Sequence, residues 1–262
     1  MDLRLNEKVI IVTGGAKGIG LGIVRALATE GALPVILGRS EEDNLNIIEE
    51  LSDAGSTAFQ VTAELTSPAE CRKAVQQIIE MTGRIDGLVN NAGLNDGVGL
   101  ENGDYDKFML SLHHTLIHYD LIAHHALPEL IKSKGVILNI SSKTAETGQG
   151  NTSGYAASNG GRNALTREWA VELLKYSIRV NAISVAECWT PQYANWIKTL
   201  PDSEKALNEI TSRIPFENRM TRVDEIAAMA VFLLSPQSSH TTGQIIHVDG
   251  GYVHLDRALA NK

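Results

Sequence analysis

Short apolar runs alternate with longer amphipathic segments along the whole sequence. Several runs are continuously apolar, which is typical of strands buried on both faces of a sheet. They predict seven strands: Lys8 to Thr13, Pro34 to Gly38, Ala58 to Val61, Gly87 to Asn90, Gly135 to Ser141, Arg179 to Ser184 and Gln244 to Val248. Helical segments such as Ile19 to Glu30 and Pro68 to Met81 lie between them. This alternation predicts an α/β fold with right-handed βαβ units, in which a doubly wound, parallel, seven-stranded sheet lies between two helical layers.

One stretch departs from this alternation. Residues 187–216 contain three prolines and four aromatic residues, Trp189, Tyr193, Trp196 and Phe216, and they predict a long irregular insertion. Folds of this kind place a substrate lid near the carboxyl end of a strand, and a loop that covers the core is the alternative. No linker, repeat or low-complexity tract divides the chain, so we expect one domain over residues 1–262.

Composition narrows the class of function. The formal net charge of −8 argues against nucleic acid as the main partner. Two cysteines, Cys71 and Cys188, are too few for a disulfide framework and favour a reducing compartment. We find no signal peptide and no apolar run near the roughly 20 residues of a membrane helix. The expected location is cytoplasmic, without a membrane partner.

A glycine-rich loop follows the first predicted strand and leads into the first predicted helix. Glycines let the backbone approach a pyrophosphate closely, and the helix N-terminus offers free N–H groups with a partial positive charge. This context predicts a dinucleotide site of the Rossmann type rather than a tight turn without a ligand. The predicted cofactor-binding residues in the loop are Thr13, Gly14, Lys17, Gly18, Ile19 and Gly20.

The end of the second strand bears on which dinucleotide binds. An acidic residue there would bind both ribose hydroxyls of NAD, but this chain has Arg39 after Gly38, with Lys17 nearby in the loop. Two cations favour the 2′-phosphate of NADP. Glu41 and Glu42 weaken that preference, so NAD remains the alternative.

Candidate chemistry lies in the second half of the chain, where Ser142 ends an apolar run and Tyr155 follows it. Together with the glycine loop, these residues resemble the short-chain dehydrogenase/reductase family over essentially the whole chain. The other matching positions are Asn90, Asn91, Ala92, Gly93, Asn181, Thr190, Asp249, Gly250 and Gly251. The resemblance implies that Asn91, Ala92, Gly93 and Thr190 also contact the cofactor.

Three further stretches are similar to sugar dehydrogenases of the L-fucose dehydrogenase type. They are residues 140–145, residues 148–155 and the tail from Val253 to Leu259. This finer resemblance implies oxidation of an aldose at its anomeric carbon to a lactone. It also implies a homo-tetramer or homo-dimer, in which the tail, with His254, Asp256 and Arg257, reaches a neighbouring subunit.

The family resemblance assigns roles to the hydroxyl groups and identifies two departures. Tyr155 takes or gives the substrate proton, and Ser142 holds the substrate oxygen. A lysine one helical turn after the tyrosine normally lowers the phenol pKa and holds the nicotinamide ribose, but this chain has Asn159. An asparagine on the preceding long helix normally anchors a water, but this chain has Thr115. Tyr155 and Asn159 remain predicted cofactor contacts.

The loss of the lysine has an expected cost. A free phenol has a pKa near 10, and a neighbouring ammonium that lowers it by about 2 to 3 units raises the phenolate fraction at least a hundredfold. Asn159 is uncharged, so we expect cofactor binding to persist and turnover to fall by about two or more orders of magnitude. Three interpretations remain open: a variant disabled or redesigned in the laboratory, a natural pseudoenzyme that binds nucleotide, and a dehydrogenase with a rearranged relay.

Three features receive less weight. Arg162 lies two turns after Tyr155, where we expect a surface or ribose-phosphate contact. His114 and His118 share a helical face, but no third ligand is evident, so we predict no metal site. Cys188 follows the sixth strand and is interpreted as an apolar pocket wall rather than a nucleophile.

Overall fold

The computed structural model describes residues 1–255, and the predicted sheet is confirmed. Its seven strands are Val9–Thr13 (β1), Leu33–Gly38 (β2), Phe59–Thr62 (β3), Gly87–Asn90 (β4), Val136–Ser142 (β5), Arg179–Val185 (β6) and Ile245–Val248 (β7). All pair in parallel, in the order β3-β2-β1-β4-β5-β6-β7. The predicted strand bounds agree with these to within about two residues.

Helices connect the strands and cover both faces of the sheet. They are Gly18–Thr29 (α1), Glu41–Asp53 (α2), Pro68–Thr82 (α3), Tyr105–Leu112 (α4), His118–Ser133 (α5), Ser153–Glu172 (α6), Pro191–Lys198 (α7), Ser203–Thr211 (α8) and Val223–Leu234 (α9). A π-helical turn over His113–Ile117 joins α4 directly to α5. Such turns are rare and are frequently found at functional sites.

Strand alternation divides the apolar core into two clusters, one on each side of the sheet. Ile10 and Val12 of β1 belong to the cluster that contains α1 and α9 residues. Val9 and Ile11 belong to the cluster that contains α3, α5 and α6 residues. Because successive strand side chains point to opposite faces, one continuously apolar strand serves both clusters.

The strand order reverses between β1 and β4. The chain runs outward from β1 through β2 to β3, then returns to place β4 on the other side of β1. In open parallel sheets, ligands bind beside the carboxyl ends of the strands at such a reversal. The fold therefore places the candidate site where the glycine loop after β1 meets the segment after β4.

The expectation of an irregular insertion at residues 187–216 is wrong, because the segment contains helices α7 and α8. Thr190 caps α7 by accepting a hydrogen bond from the Tyr193 amide at 3.2 Å. Asp202 caps α8 by accepting one from the Lys205 amide at 3.0 Å. The first proline of the insertion, Pro191, occupies the first turn of α7, where a missing N–H costs no helical hydrogen bond.

No helix within residues 1–255 combines the length and the apolar character of a membrane span. The tail predictions for Asp256 and Arg257, and the resemblance that runs to Leu259, lie outside the described residues.

Candidate active site

The glycine loop forms a narrow backbone cradle at the start of α1. Gly14 and Gly18 have positive φ angles of 65° and 54°, which side-chain-bearing residues rarely adopt. A Cβ on Gly20 would lie 2.3 Å from the Gly14 carbonyl oxygen. No side chain caps the N-terminus of α1. These features fit a pyrophosphate, whose oxygens can accept hydrogen bonds from the uncapped N–H groups.

Thr13 and Asn91 tie β1 to β4 beside this loop. The Thr13 hydroxyl accepts hydrogen bonds from the Asn91 amide at 2.8 Å and the Ala92 amide at 3.0 Å. The Asn91 side chain donates to the Thr13 carbonyl at 2.8 Å. The structure therefore gives these predicted cofactor residues a positioning function, because their polar atoms hold the loop against the segment from Asn91 to Gly93.

Thr190 lies close to the glycine loop. A Cβ on Gly18 would be 3.5 Å from the Thr190 Cβ. Thr190, in the segment between β6 and α7, thus lies at the start of α1, and its contact with the cofactor stays a prediction. Ile19, the next loop residue, packs against the apolar cluster beneath α1 and fixes the helix on the sheet.

The two cations predicted near the 2′ position differ in their surroundings. Lys17 forms a salt bridge with Asp43 at 2.5 Å, and its side chain is 67% exposed. The salt bridge lowers the pKa of Asp43, mainly through the hydrogen bond from Lys17. Arg39 is exposed just after β2. Asp43 therefore neutralises part of the positive charge on which the NADP prediction rests.

The two candidate hydroxyl groups lie on neighbouring elements. Ser142 is the last residue of β5, and its hydroxyl accepts a hydrogen bond from the Thr144 amide at 3.3 Å. Tyr155 lies in the first turn of α6 and is half-buried. The Thr144 hydroxyl is buried and has no hydrogen-bond partner among the described residues. Sequence analysis missed this hydroxyl, which lies two residues after Ser142 at the end of β5.

Asn159 is completely buried one turn further along α6. Its side-chain nitrogen donates to the Tyr155 carbonyl at 2.9 Å. Its side-chain oxygen accepts a hydrogen bond from Arg162 at 3.1 Å. Both ends of the amide are therefore engaged within the protein.

Arg162 is buried directly behind this position, so the expectation of a surface contact is wrong. Only 3% of the residue is exposed. The guanidinium donates to the carbonyls of Thr115 at 2.8 Å, Ile140 at 3.0 Å and Ala92 at 3.2 Å. Helical side chains tilt toward the helix N-terminus, which directs Arg162 back along α6 toward Asn159.

Thr115 contributes its backbone rather than its side chain to this cluster. It is the central residue of the π-helical turn and is fully buried. Its hydroxyl donates to the Leu94 carbonyl at 3.1 Å, while its own carbonyl accepts from two Arg162 nitrogens. The side chain therefore braces the segment after β4, and the carbonyl faces the interior.

Burial and the charge of Arg162 shift the pKa values of two neighbouring α5 residues. Burial, followed by the charge of Arg162, lowers the pKa of His118 to about 3. The Tyr119 ring lies 4.2 Å from the Arg162 guanidinium carbon, and burial raises the pKa of its phenol. His118 is therefore neutral and Tyr119 protonated at ordinary pH.

A group of charged and polar side chains, here called the polar rim, lies beyond Ser142 at the carboxyl ends of β5, β6 and β7. Lys143 is buried in a salt bridge with Glu187, and its ammonium lies 3.9 Å from the Tyr252 ring centre. His247 hydrogen-bonds Glu146 at 2.9 Å, and the His247 and His254 rings lie 4.5 Å apart. The polar rim consists of Lys143, Glu146, Glu187, His247, Tyr252 and His254.

The structure also locates the candidate metal ligands and the Cys188 thiol. Glu146, His247 and His254 form the one group with three-ligand metal geometry in residues 1–255. The His118 ring instead hydrogen-bonds the His114 carbonyl at 3.1 Å. Cys188 is buried in an apolar cluster, and burial raises its pKa to about 12, so the thiol is a core packing group and a poor nucleophile.

A glycine cradle at the reversal of a parallel sheet, with serine and tyrosine hydroxyls beside it, defines a dinucleotide-dependent oxidoreductase. The chain belongs to the short-chain dehydrogenase/reductase family, whose members use NAD or NADP. A family model described as enoyl-(acyl carrier protein) reductase matches residues 14–253.

Relatives of this chain act on different substrates. L-fucose dehydrogenase of Bos taurus is 36% identical over 96% of this chain and 91% of its own length. The 3-oxoacyl-(acyl-carrier-protein) reductase FabG of Thermotoga maritima is 34% identical over 96% of this chain and 100% of its own. Both relatives are oxidoreductases, so membership of the family leaves the substrate class to be argued from the site.

Solved structures agree with the fold. The crystal structure of Cj0485 dehydrogenase has 44% sequence identity and a TM-score of 0.93, and it covers 98% of each chain. A gluconate 5-dehydrogenase from Burkholderia cenocepacia, solved with NADP and tartrate, has 29% identity and a TM-score of 0.88. That match covers 96% of this chain and 97% of the other.

Proposed function

We propose that the chain oxidises an aldose of the L-fucose kind at its anomeric carbon, with NADP as the preferred hydride acceptor and NAD as the alternative. The anomeric carbon loses a hydride and its hydroxyl loses a proton, which leaves a lactone. When bound, the dinucleotide supplies the hydride-accepting ring. The cradle of Gly14, Gly18 and Gly20 fits its pyrophosphate, and the cations Arg39, after β2, and Lys17, in the glycine loop, support the choice of NADP.

The chain's own hydroxyl groups handle the proton. We assign Tyr155 as the group that accepts the proton of the sugar hydroxyl. Ser142 holds the same oxygen, since its hydroxyl accepts from the Thr144 amide and keeps its own hydrogen free to donate. The buried, unpartnered hydroxyl of Thr144 supplies a second donor at this end of β5.

The polar rim is the observation that supports a sugar over an acyl chain. A polyhydroxylated ring needs many hydrogen-bond partners, whereas an acyl chain needs an apolar wall. The ends of β5, β6 and β7 instead carry the pair of Lys143 with Glu187 and the pair of His247 with Glu146.

Residues 187–216 are proposed as a lid over this rim within a single-domain chain. The Trp189, Tyr193 and Trp196 rings form a continuous row, with centres 6.3 Å and 5.2 Å apart. Trp189 and Trp196 are both 47% exposed, which leaves aromatic surface free to pack on the apolar face of a sugar.

We also propose that the protein assembles as a homo-tetramer or homo-dimer in the cytoplasm. Leu116 and Ile117 line a groove against Ala164 and Leu165 of α6. Val171 is 69% exposed at the end of the same helix. An apolar helical face of this kind suits a second copy of the chain.

The proposal is tested by comparing substrates under identical conditions. L-Fucose and other aldoses should reduce NADP, and replacing Glu187 with Gln should raise the KM for the sugar at least about tenfold. Glu49→Gln, an exposed change on α2 outside the proposed lid, is the control. Reduction of a 3-oxoacyl thioester by NADPH, with no aldose oxidised, would contradict the proposal.

The presence of Asn159 in place of the family's lysine supports a second candidate function. The chain would then bind the dinucleotide without turnover, as a disabled variant, a pseudoenzyme or a pocket redesigned for another reaction. Calorimetric titration with NADP and NADPH, followed by aldose assays, distinguishes binding from chemistry. The burial of Arg162 behind Asn159 favours a working, rearranged centre over these alternatives.

A further inference from the structure

Arg162 is a buried cation without an anionic partner. No Asp or Glu forms a salt bridge with it among the residues that the structure describes. Burying an uncompensated charge is costly, and proteins retain such charges mostly at functional sites. The arginine is therefore poorly explained by stability alone.

The surrounding backbone satisfies its hydrogen bonds without neutralising its charge. The carbonyls of Ala92, Thr115 and Ile140 accept from the guanidinium, and all three belong to segments that converge behind the candidate site. These dipoles hold the group in one orientation. A full positive charge therefore remains at a fixed, buried point, where electrostatic effects extend further than at the surface.

The segment after β4 is adapted to admit this group. A Cβ on Gly93 would lie 2.7 Å from an Arg162 terminal nitrogen. Gly93 ends the stretch that Thr13 holds against the glycine loop. The guanidinium thus lies directly behind the wall of the predicted dinucleotide site.

One chain of hydrogen bonds connects the guanidinium to the backbone carbonyl of Tyr155, and the Tyr119 ring lies against the same guanidinium. Asn159 accepts from Arg162 with its side-chain oxygen and donates to the Tyr155 carbonyl with its nitrogen. Tyr119 packs on the guanidinium, and its phenol pKa responds to the charge of both Arg162 and Tyr155. The arginine and the candidate phenol therefore share one electrostatic neighbourhood.

We propose that Arg162 supplies, through Asn159, the positive charge that the lysine provides elsewhere in the family. It acts as a positioning residue: it orients the Asn159 amide, and its field stabilises the phenolate of Tyr155. The inference deepens the proposed function and rests on it for the identity of the reaction. The charge itself can be tested without any substrate.

The titratable groups around this space are few. His114 and His118 face it from the π turn and α5, Tyr119 from α5, and Tyr155 from α6 itself. Lys143 lies next to Ser142 along the chain but is paired with Glu187. Because His118 is neutral and Tyr119 protonated over the working range, Arg162 is the fixed cation of the group.

The first experiment follows phenolate absorbance in the free protein as pH rises, with Tyr155→Phe subtracted to isolate the Tyr155 signal. Arg162→Gln should move the midpoint upward by about 1 to 3 pH units, and Arg162→Lys by less. Arg167→Gln, an exposed arginine change on the same helix, should leave the midpoint in place. An unchanged midpoint in a folded Arg162→Gln protein would overturn the inference, whatever substrate the enzyme uses.

A second experiment separates charge from packing. Arg162→Ala leaves a space that free guanidinium ion fits, and urea is its uncharged counterpart of similar shape. Millimolar guanidinium should restore aldose oxidation at least about tenfold and lower the phenolate midpoint, whereas urea should do neither. Equal rescue by both would contradict the inference. If the alanine variant does not fold, the comparison between Arg162→Lys and Arg162→Gln decides the same question.

Discussion

The guanidinium of Arg162 donates a 3.1 Å hydrogen bond to the side-chain oxygen of Asn159, and both residues are buried in the middle of α6. The family resemblance aligns this asparagine with the family's lysine, and a cation reaches the asparagine from one turn further along the same helix. The expected impairment assumed that no positive charge lay here. The pair gives a specific physical reason for this chain to retain turnover without the lysine.

Asn159→Asp should lower turnover more than Asn159→Ala does. Both changes remove the side-chain donor to Tyr155, but only aspartate places an anion against Arg162 and neutralises its field. We expect kcat/KM with an aldose to be at least about tenfold lower in the aspartate variant than in the alanine variant. Equal rates, or a faster aspartate variant, would show that the charge of Arg162 has no function in turnover.

Gly93→Ala should displace the Arg162 guanidinium, and it should lower kcat strongly while it lowers the stability of the fold only moderately. The new methyl group would lie 2.7 Å from a guanidinium nitrogen that three backbone carbonyls hold in place. We expect a loss of about 1 to 3 kcal/mol in unfolding free energy and at least a tenfold fall in kcat. Gly160→Ala is the matched control on α6, since a Cβ there meets nothing within 4 Å. It should keep full activity and gain about 0.5 to 1 kcal/mol. A Gly93→Ala enzyme with the parental kcat would show that the position of the Arg162 guanidinium does not matter for turnover.

Stability should fall in mild acid because of His118. Its folded-state pKa is lowered to about 3 from an ordinary value of 6.5, mainly by burial. The unfolded chain therefore binds a proton that the folded chain excludes as pH falls from 6.5 toward 3. The unfolding free energy should decline by up to about 1.4 kcal/mol per pH unit in that window, and the contribution is absent above it.

The measurement for this prediction is denaturant unfolding at several pH values. His118→Gln should flatten the decline, since glutamine keeps a donor for the His114 carbonyl and does not titrate. His124→Gln, an exposed change on the same helix, should leave the slope unchanged. A parental slope in the His118 variant would show that other groups cause the acid sensitivity.

Lys17→Gln should weaken NADP binding more than NAD binding. The lysine is exposed and shared with Asp43, so its effect on a 2′-phosphate is screened, and we expect a loss of affinity of less than about tenfold. Asp43→Asn should strengthen NADP binding relative to NAD binding, because the substitution frees Lys17 from its salt bridge. Calorimetric titration of each variant with both dinucleotides, at two salt concentrations, measures whether NADP affinity falls or rises. A parallel loss for NAD and NADP would place the phosphate elsewhere.

Most of the scaffold could be predicted from the sequence because its signals are local. Continuous apolar runs such as the one ending at Thr13 give buried parallel strands, and Gly14 and Gly18 after it have positive φ angles that few other residues tolerate. The capped helices in residues 187–216 were missed. Prolines indicated loop, although Pro191 lies in the first turn of α7, where proline is well tolerated.

The interior of the candidate site could not be predicted, because it depends on backbone positions that no motif encodes. The Thr115 carbonyl accepts from Arg162 within a π-helical turn, and a one-residue change in helical register leaves no trace in an apolar pattern. One signal was available. Asn159 and Arg162 are three residues apart, a spacing at which helical side chains meet.

Moving the charge tests the central claim most directly. The parent enzyme, Arg162→Val, Asn159→Lys and the double variant are compared by kcat/KM for aldose oxidation across pH. Arg162→Val lacks the cation, so its kcat/KM should be at least about a hundredfold lower than the parent's. Asn159→Lys alone places two cations together and should lower the free energy of unfolding by about 3 kcal/mol. The double variant carries one cation at position 159 and should recover to within about tenfold of the parent, with a pH profile like the parent's. A double variant no faster than Arg162→Val would contradict the claim that Arg162 supplies the missing charge.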